Sequence, residues 1–308
     1  MRTAVHTRFT AVGAVALLAL APPAGGALAA QTPPGILVST DWVAAHLDDP
    51  SVVLLHVDGR REAYDEAHIP GARFLDLGGI SWPGDPAVGT EMRTPAEIAV
   101  SLEAAGVRDG QHVVVYGANP LAAARAWMTL DVMGWGGAAS FMDGGLGAWR
   151  DEGRPVSTRE PAFATGSVTL RARAGVVVDA DWVLAHLDDP SVSLLDARPD
   201  DEYTGADGGM GGRVHAGHIP GAYQIYWEKF VQSRPIHRIH PTPELKALFA
   251  PMGAAPGSTV VAYCMVGLRA SYAYMVARLL GYDARFYDGS WMDWGSRDLP
   301  YVSGTSRR

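Results

Sequence analysis

Asp41-Trp42-Val43-Ala44-Ala45-His46-Leu47-Asp48-Asp49-Pro50-Ser51-Val52 returns as Asp181-Trp182-Val183-Leu184-Ala185-His186-Leu187-Asp188-Asp189-Pro190-Ser191-Val192, an offset of 140 residues (181 − 41). Solenoid repeats are far shorter, so a period of this length means two duplicated domains. Other pairs keep their order while the offset drifts. His68-Ile69-Pro70-Gly71-Ala72 matches His218-Ile219-Pro220-Gly221-Ala222 at 150 (218 − 68), Thr94-Pro95 matches Thr242-Pro243, and Asp143-Gly144-Gly145 matches Asp288-Gly289-Ser290. The second half has gained ten residues (150 − 140) between Asp181 and His218, and the Gly-rich run Thr204 to Gly217 holds them.

Each half reads the same way. Ser39 or Asp179 can cap a short helix bearing Trp42 or Trp182, and an apolar run, Val52 to Val57 or Val192 to Leu195, has the pattern of a strand. After the His-Ile-Pro-Gly-Ala turn, Thr-Pro opens a helix over 96–105 or 244–249, since proline suits a first helical turn. A second apolar run, Val113 to Tyr116 or Val260 to Tyr263, leads into an apolar helix over 121–133 or 270–280, and a third strand reaches Asp143 or Asp288. Fully apolar strands alternating with helices predict an α/β fold: in each half a parallel sheet covered by helices on both faces. Residues 155–173 are polar, without a sustained period, and hold two prolines, which marks a linker.

The 308 residues exceed the usual single-domain size, and a 48% hydrophobic, 19% charged composition has enough apolar residues for two cores. Residues 1–29 read as a signal peptide: Arg2 and Arg8 begin it, Ala11 to Leu20 is apolar, and Ala27-Leu28-Ala29 supplies small residues for cleavage. The apolar block falls short of the ~20 residues that span a bilayer. Export to the periplasm or medium is expected, with no membrane attachment after cleavage. Loss of two arginines takes the formal charge from −8 to −10, which excludes the basic surface that nucleic acid demands. A small anionic substrate would need local arginines.

The only cysteine, Cys264, follows the apolar run Val260 to Tyr263 and precedes Met265-Val266-Gly267-Leu268-Arg269 and the next helix. In open α/β sheets chemistry sits at the carboxyl ends of strands. A tight strand-to-helix turn directs backbone N–H groups inward, and the helix dipole adds to their field, so a thiolate is favoured over the thiol. Gly267 supplies backbone freedom, and Arg269 brings a permanent charge for the thiolate, an anionic substrate or both. Aligning Val113–Tyr116 with Val260–Tyr263 sets Gly117 opposite Cys264 and Ala122 opposite Arg269, so the first half lacks both thiol and cation.

Asp196-Ala197-Arg198, Gly217 to Ala222, Cys264 to Ser271 and Tyr287-Asp288-Gly289-Ser290-Trp291, in that order, give a sequence that resembles the tandem-domain rhodaneses, the thiosulfate and 3-mercaptopyruvate sulfurtransferases. The resemblance implies two tandem rhodanese-like domains: 36–154 without a catalytic cysteine, 155–173 as linker, and 174–308 as the catalytic domain. It implies a sulfur relay in which the Cys264 thiolate takes sulfane sulfur from a small anionic donor, becomes a persulfide, and passes it to cyanide, a thiol or a protein acceptor. Met265, Val266, Gly267, Leu268 and Arg269 would hold the anionic persulfide, Arg198 would contact the donor's anionic group, and no cofactor is needed. Mercaptopyruvate enzymes carry a hydroxyl third in this loop, where Val266 stands, and vertebrate thiosulfate enzymes carry basic residues second and third, where Met265 and Val266 stand. Thiosulfate is the favoured donor.

Other signals are weaker. Arg213 lies in the Gly-rich run, and Arg234, His237, Arg238 and His240 form a loop that could guide an anion. His215 with His218, and His237 with His240, share a spacing that suits a metal, but His68 occupies the same turn as His218 without such a partner, and no metal is expected. Rhodanese-fold phosphatases have a Cys-to-Arg loop one residue longer; the shorter loop here suits sulfur. A persulfide carrier that delivers sulfur to an exported partner is the other alternative.

Overall fold

The computed structural model describes Met1 and residues 34–81, 91–232 and 236–307. The expected signal peptide lies outside them, as does Arg234. Two five-stranded, all-parallel sheets are present. The first contains β1 (Leu37–Val38), β2 (Val52–Asp58), β3 (Arg73–Asp76), β4 (His112–Tyr116) and β5 (Ala139–Met142) in the order β1-β5-β4-β2-β3. The second contains β6 (Val177–Val178), β7 (Val192–Asp196), β8 (Tyr223–Gln224), β9 (Thr259–Tyr263) and β10 (Asp283–Tyr287) in the order β6-β10-β9-β7-β8.

The duplication extends to register. His56 pairs with Tyr116 as Asp196 pairs with Tyr263, and Leu55 pairs with Arg73 as Leu195 pairs with Tyr223. Local chemistry repeats too. Ser39 Oγ accepts the Trp42 N–H (3.1 Å) and Asp179 Oδ1 accepts the Trp182 N–H (2.8 Å), capping the helices Thr40–Ala45 and Ala180–Ala185. The first Thr-Pro helix, Pro95–Ala104, has a reciprocal cap between Thr94 and Glu97; the second, Thr242–Phe249, begins at threonine itself and lacks one.

The long helices Pro120–Val132 and Leu268–Leu279 pack along one another at the domain interface. Both are buried around most of their circumference, which is why their sequences read as apolar without a clean stripe. The 155–173 segment is tied to the first domain: Ser157 and His68 exchange backbone bonds (2.8 and 2.9 Å), Ser167 N–H donates to Val107 C=O (3.0 Å), and Arg173 N–H to Val132 C=O (2.7 Å). Its polarity conceals this role, because the attachment is through backbone. The chain end repeats the device on the second domain, where Val302 and His218 exchange bonds at 2.9 and 3.0 Å.

Candidate active site

β9 ends at Tyr263, whose buried hydroxyl accepts the Ile219 N–H (3.3 Å) and so ties the His-Ile-Pro-Gly-Ala turn to the strand end. Burial, with Asp196 adding to it, pushes that hydroxyl well above the ordinary tyrosine range. His218 stacks on Tyr203 at 3.7 Å and both ring nitrogens face backbone carbonyls, Nδ1 that of Tyr203 (2.8 Å) and Nε2 that of Ser306 (3.0 Å). It is a structural histidine. Among the described residues no group of three His, Cys, Asp or Glu side chains could hold a metal.

Cys264 is fully buried at the carboxyl end of β9. The segment after β10 clamps its backbone: Ser290 Oγ accepts the Cys264 N–H (3.3 Å), Cys264 C=O accepts the Trp291 N–H (2.8 Å), and Met265 C=O accepts the Met292 N–H (3.0 Å). Ser290 holds a left-handed backbone at φ 53°, as does its first-domain counterpart Gly145. An L side chain there costs about 1–2 kcal/mol relative to glycine, so the strain is accepted where the hydroxyl fixes the cysteine. The comparison of Gly145 with Ser290 was visible in the repeat; the role of Ser290 was not.

The Gly267 N–H donates to Cys264 Sγ at 3.1 Å. Gly267 itself sits at φ 96°, ψ −25° and starts the helix, its carbonyl accepting the Ser271 N–H (2.9 Å). That left-handed step corrects the expected loop. The helix begins at Leu268 and not near Ala270, so Leu268 and Arg269 lie in its first turn and the non-helical span is Cys264 to Gly267. Met265 is buried and belongs to the apolar cluster of Tyr263, Trp291 and Trp294, against which Val266 also packs, while Val266, Leu268 and Arg269 are half-buried.

The two arginines expected to meet substrate are already engaged. Arg269 forms a two-point pair with Glu202, Nη1 to Oε1 and Nη2 to Oε2 at 2.7 Å each. Burial opposes its charge, but Glu202 and the Cys264 sulfur together raise its pKa further. Glu202 was not singled out in the sequence, since nothing there links it to position 269. Arg198 is fully buried, with Nε and Nη2 on Asp196 (3.0, 3.1 and 2.7 Å), Nη2 also on Gly217 C=O (2.8 Å), and its guanidinium 4.6 Å from the Trp291 ring centre. Among the described residues its Nη1 has no hydrogen-bond partner.

The weaker candidates are placed elsewhere. Arg213 is exposed after the left-handed turn 208–212, four glycines and Met210. Arg238 is paired with Glu152 of the first domain, and the Ile239 N–H donates to Asp143 Oδ1 (2.8 Å), so this loop joins the domains. Glu152 offsets the charge that would have guided an anion.

In the first domain the equivalent turn is Gly117-Ala118-Asn119, with Asn119 Oδ1 capping the helix through the Leu121 N–H (2.9 Å). A Cβ at Gly117 would lie 2.5 Å from the Val57 carbonyl oxygen. The turn has closed over the space a thiol would need.

The sequence profile of the rhodanese-like domain matches residues 39–152 and 179–297. The sulfur carrier protein TtuD of Thermus thermophilus is 36% identical over 85% of this chain and 94% of its own length. The putative thiosulfate sulfurtransferase SseA of Mycobacterium bovis is 34% identical over 90% and 94% respectively. Among solved structures, the 3-mercaptopyruvate sulfurtransferase SseA of Escherichia coli superposes with a TM-score of 0.71 at 26% identity, over 84% of this chain and 99% of that one.

Proposed function

The chain belongs to the rhodanese-like domain family in its tandem form and is a rhodanese-type sulfurtransferase working through a cysteine persulfide, and from that premise we propose that Cys264 carries the sulfur and thiosulfate supplies it. The Cys264 thiolate attacks the sulfane sulfur, a new S–S bond forms, the donor's S–S bond breaks, and sulfite departs with the electron pair. Cyanide or a thiolate then attacks the outer sulfur of the persulfide; with cyanide, thiocyanate leaves and the thiolate is restored. No external oxidant or reductant is consumed. With 3-mercaptopyruvate the thiolate would attack the donor's thiol sulfur, the C–S bond would break, and pyruvate would leave as its enolate and take up the proton from that sulfur.

The observation that carries the assignment is the Gly267 N–H on Cys264 Sγ at the end of β9, beside Arg269. A preorganised donor aimed at the atom that becomes anionic acts on both half-reactions. Arg198 Nη1 supports a role in receiving the donor's anionic end. The signal-like residues 1–29 support action after export, with a thiol or protein as acceptor.

Incubation with thiosulfate should raise the intact mass by one sulfur atom, located on Cys264 by peptide mapping, and cyanide should remove it with thiocyanate release. No adduct from thiosulfate, 3-mercaptopyruvate or polysulfide would overturn the assignment. The similarity to TtuD favours a second reading, a carrier whose persulfide waits for a partner protein. It gains if the adduct forms readily and discharges slowly to cyanide and small thiols.

A further inference from the structure

The two domains exchange contacts across an approximate twofold relation. Asp288 Oδ2 accepts the Met92 N–H of the first domain (2.7 Å), as Asp143 Oδ1 accepts the Ile239 N–H of the second (2.8 Å). The long helices then each send one side chain against the other domain's last strand. From Leu268–Leu279 comes Tyr272, its ring 5.8 Å from Phe141; from Pro120–Val132 comes Arg125, its guanidinium 5.1 Å from Phe286. Positions 125 and 272 correspond at the same 147 offset as Gly117 and Cys264 (264 − 117), and Phe141 and Phe286 correspond at 145 (286 − 141), the offset of Asp143 and Asp288. The side with the thiol therefore receives a cation, and the side without it receives a neutral phenol.

Arg125 is fully buried and donates from Nη2 to Asp288 Oδ1 at 2.9 Å. Its Nη1 lies 3.1 Å from where a Cβ on Gly267 would stand, closer than Asp288, whose backbone oxygen lies at 3.6 Å. Gly267 is the residue whose N–H holds Cys264 Sγ. A buried charge is costly unless it is paired, and here the pairing draws the guanidinium against the turn that faces the reacting sulfur. In a setting of low polarity such a charge acts through the intervening residue on any anion formed there.

We infer that Arg125, from the domain without a thiol, is a positioning residue of the sulfur-transfer reaction: it sets the Gly267 turn and adds a positive field that favours thiolate and persulfide at Cys264. This rests on the sulfurtransferase reading above. Among the described residues, the other charged groups near the turn include Arg269 with Glu202, Arg198 with Asp196, Asp288, and Asp293 with Arg297 from the second domain, and Glu91 from the first.

The test reads the thiol without any donor, so it is separate from whether the protein transfers sulfur. Alkylation of Cys264 is followed across pH in the full chain for Arg125→Met, Arg125→Lys, the charge-balanced pair Arg125→Met with Asp288→Asn, and Arg278→Met. The last alters another interdomain contact, Arg278 Nε to Asp131 Oδ2 at 3.1 Å, away from the turn. Arg125→Met should move the alkylation profile to higher pH and slow reaction at neutral pH about tenfold. The balanced pair should slow it about threefold by losing the nearer of two opposite charges. Arg125→Lys should recover most of the loss, and Arg278→Met should react as wild type. A folded balanced pair with the wild-type profile would overturn the inference, as would Arg125→Lys behaving like Arg125→Met. If wild type alkylates normally yet never accepts sulfur, the sulfurtransferase reading fails and the field argument still stands on its own data.

Discussion

The turn after β4 and the turn after β9 leave matching strands toward matching helices, yet one is inert and the other reactive. Replacements that separate them include Cys264 for Gly117, Gly267 for Pro120, Arg269 for Ala122, Ser290 for Gly145, and Asp196 for His56. Around them the scaffold is shared down to the tyrosine hydroxyl on the His-Ile-Pro-Gly-Ala amide, 2.9 Å for Tyr116 with Ile69 and 3.3 Å for Tyr263 with Ile219. The frame alone therefore supplies no chemistry. What the second domain adds is a nucleophile, a hydroxyl that fixes its backbone, and paired charges around it.

The largest effect should come from erasing the thiol. Cys264→Ser keeps the turn and removes the only cysteine in the chain. Thiocyanate release from thiosulfate and cyanide should fall by on the order of 10⁴-fold or more, as nucleophile deletions do elsewhere. Activity within tenfold of wild type would mean that the difference between the turns is incidental to the reaction.

The converse change asks whether the first domain can be revived. Gly117→Cys, made in the Cys264→Ser background, puts a Cβ 2.5 Å from the Val57 carbonyl, so β2 or the turn must shift. Overpacking of this kind costs about 1–3 kcal/mol, which urea unfolding would register as a lower midpoint. No sulfur adduct should form, because Ala122 offers no cation and Tyr272 stands where Arg125 stands opposite the working turn. A stable persulfide at position 117 would show that a thiol on this frame is sufficient.

Much of the contrast was open to reading in the sequence. Cys264 against Gly117 and Arg269 against Ala122 follow from aligning two apolar runs, and the parallel sheets follow from strands that are apolar on both faces. What escaped reading was long-range pairing, both within the second domain and between the two domains. Glu202 on Arg269, Arg125 on Asp288 and Arg238 on Glu152 join residues distant in sequence, and no local spacing encodes such pairs. The short strands β1, β6 and β8 escaped for a different reason: at two residues each they are defined by their neighbour and carry no pattern of their own. The helix start at Leu268 depended on the handedness of one glycine, a backbone choice that composition does not reveal.

The smallest effect separates the domains by acid. His56 in β2 occupies the position of Asp196, but where Asp196 is bonded to Arg198, His56 is fully buried with neither ring nitrogen partnered, beside Tyr116 and Tyr64 at 5.1 and 5.7 Å. Burial lowers its pKa to about 4; Asp58 opposes the shift, and His68 and Arg150 add to it. In the unfolded chain the ring takes a proton near the ordinary value of about 6.5. Above that pH proton binding takes nothing from the fold, and as pH falls from 6.5 toward 4 the unfolded chain binds the extra proton and stability is lost. Between pH 7 and pH 5 the loss should be roughly 1–2 kcal/mol, with the sign set by proton linkage. His56→Leu removes the titration, so the difference in urea stability between pH 7 and pH 5 should shrink by that amount relative to wild type, other groups titrating alike in both proteins. Because the second domain has an ion pair at this place, the wild-type loss should appear first in hydrogen exchange of β2 and β4 and not of β7 and β9. Equal acid sensitivity in the two sheets, or an unchanged slope in His56→Leu, would remove His56 from the differences that matter.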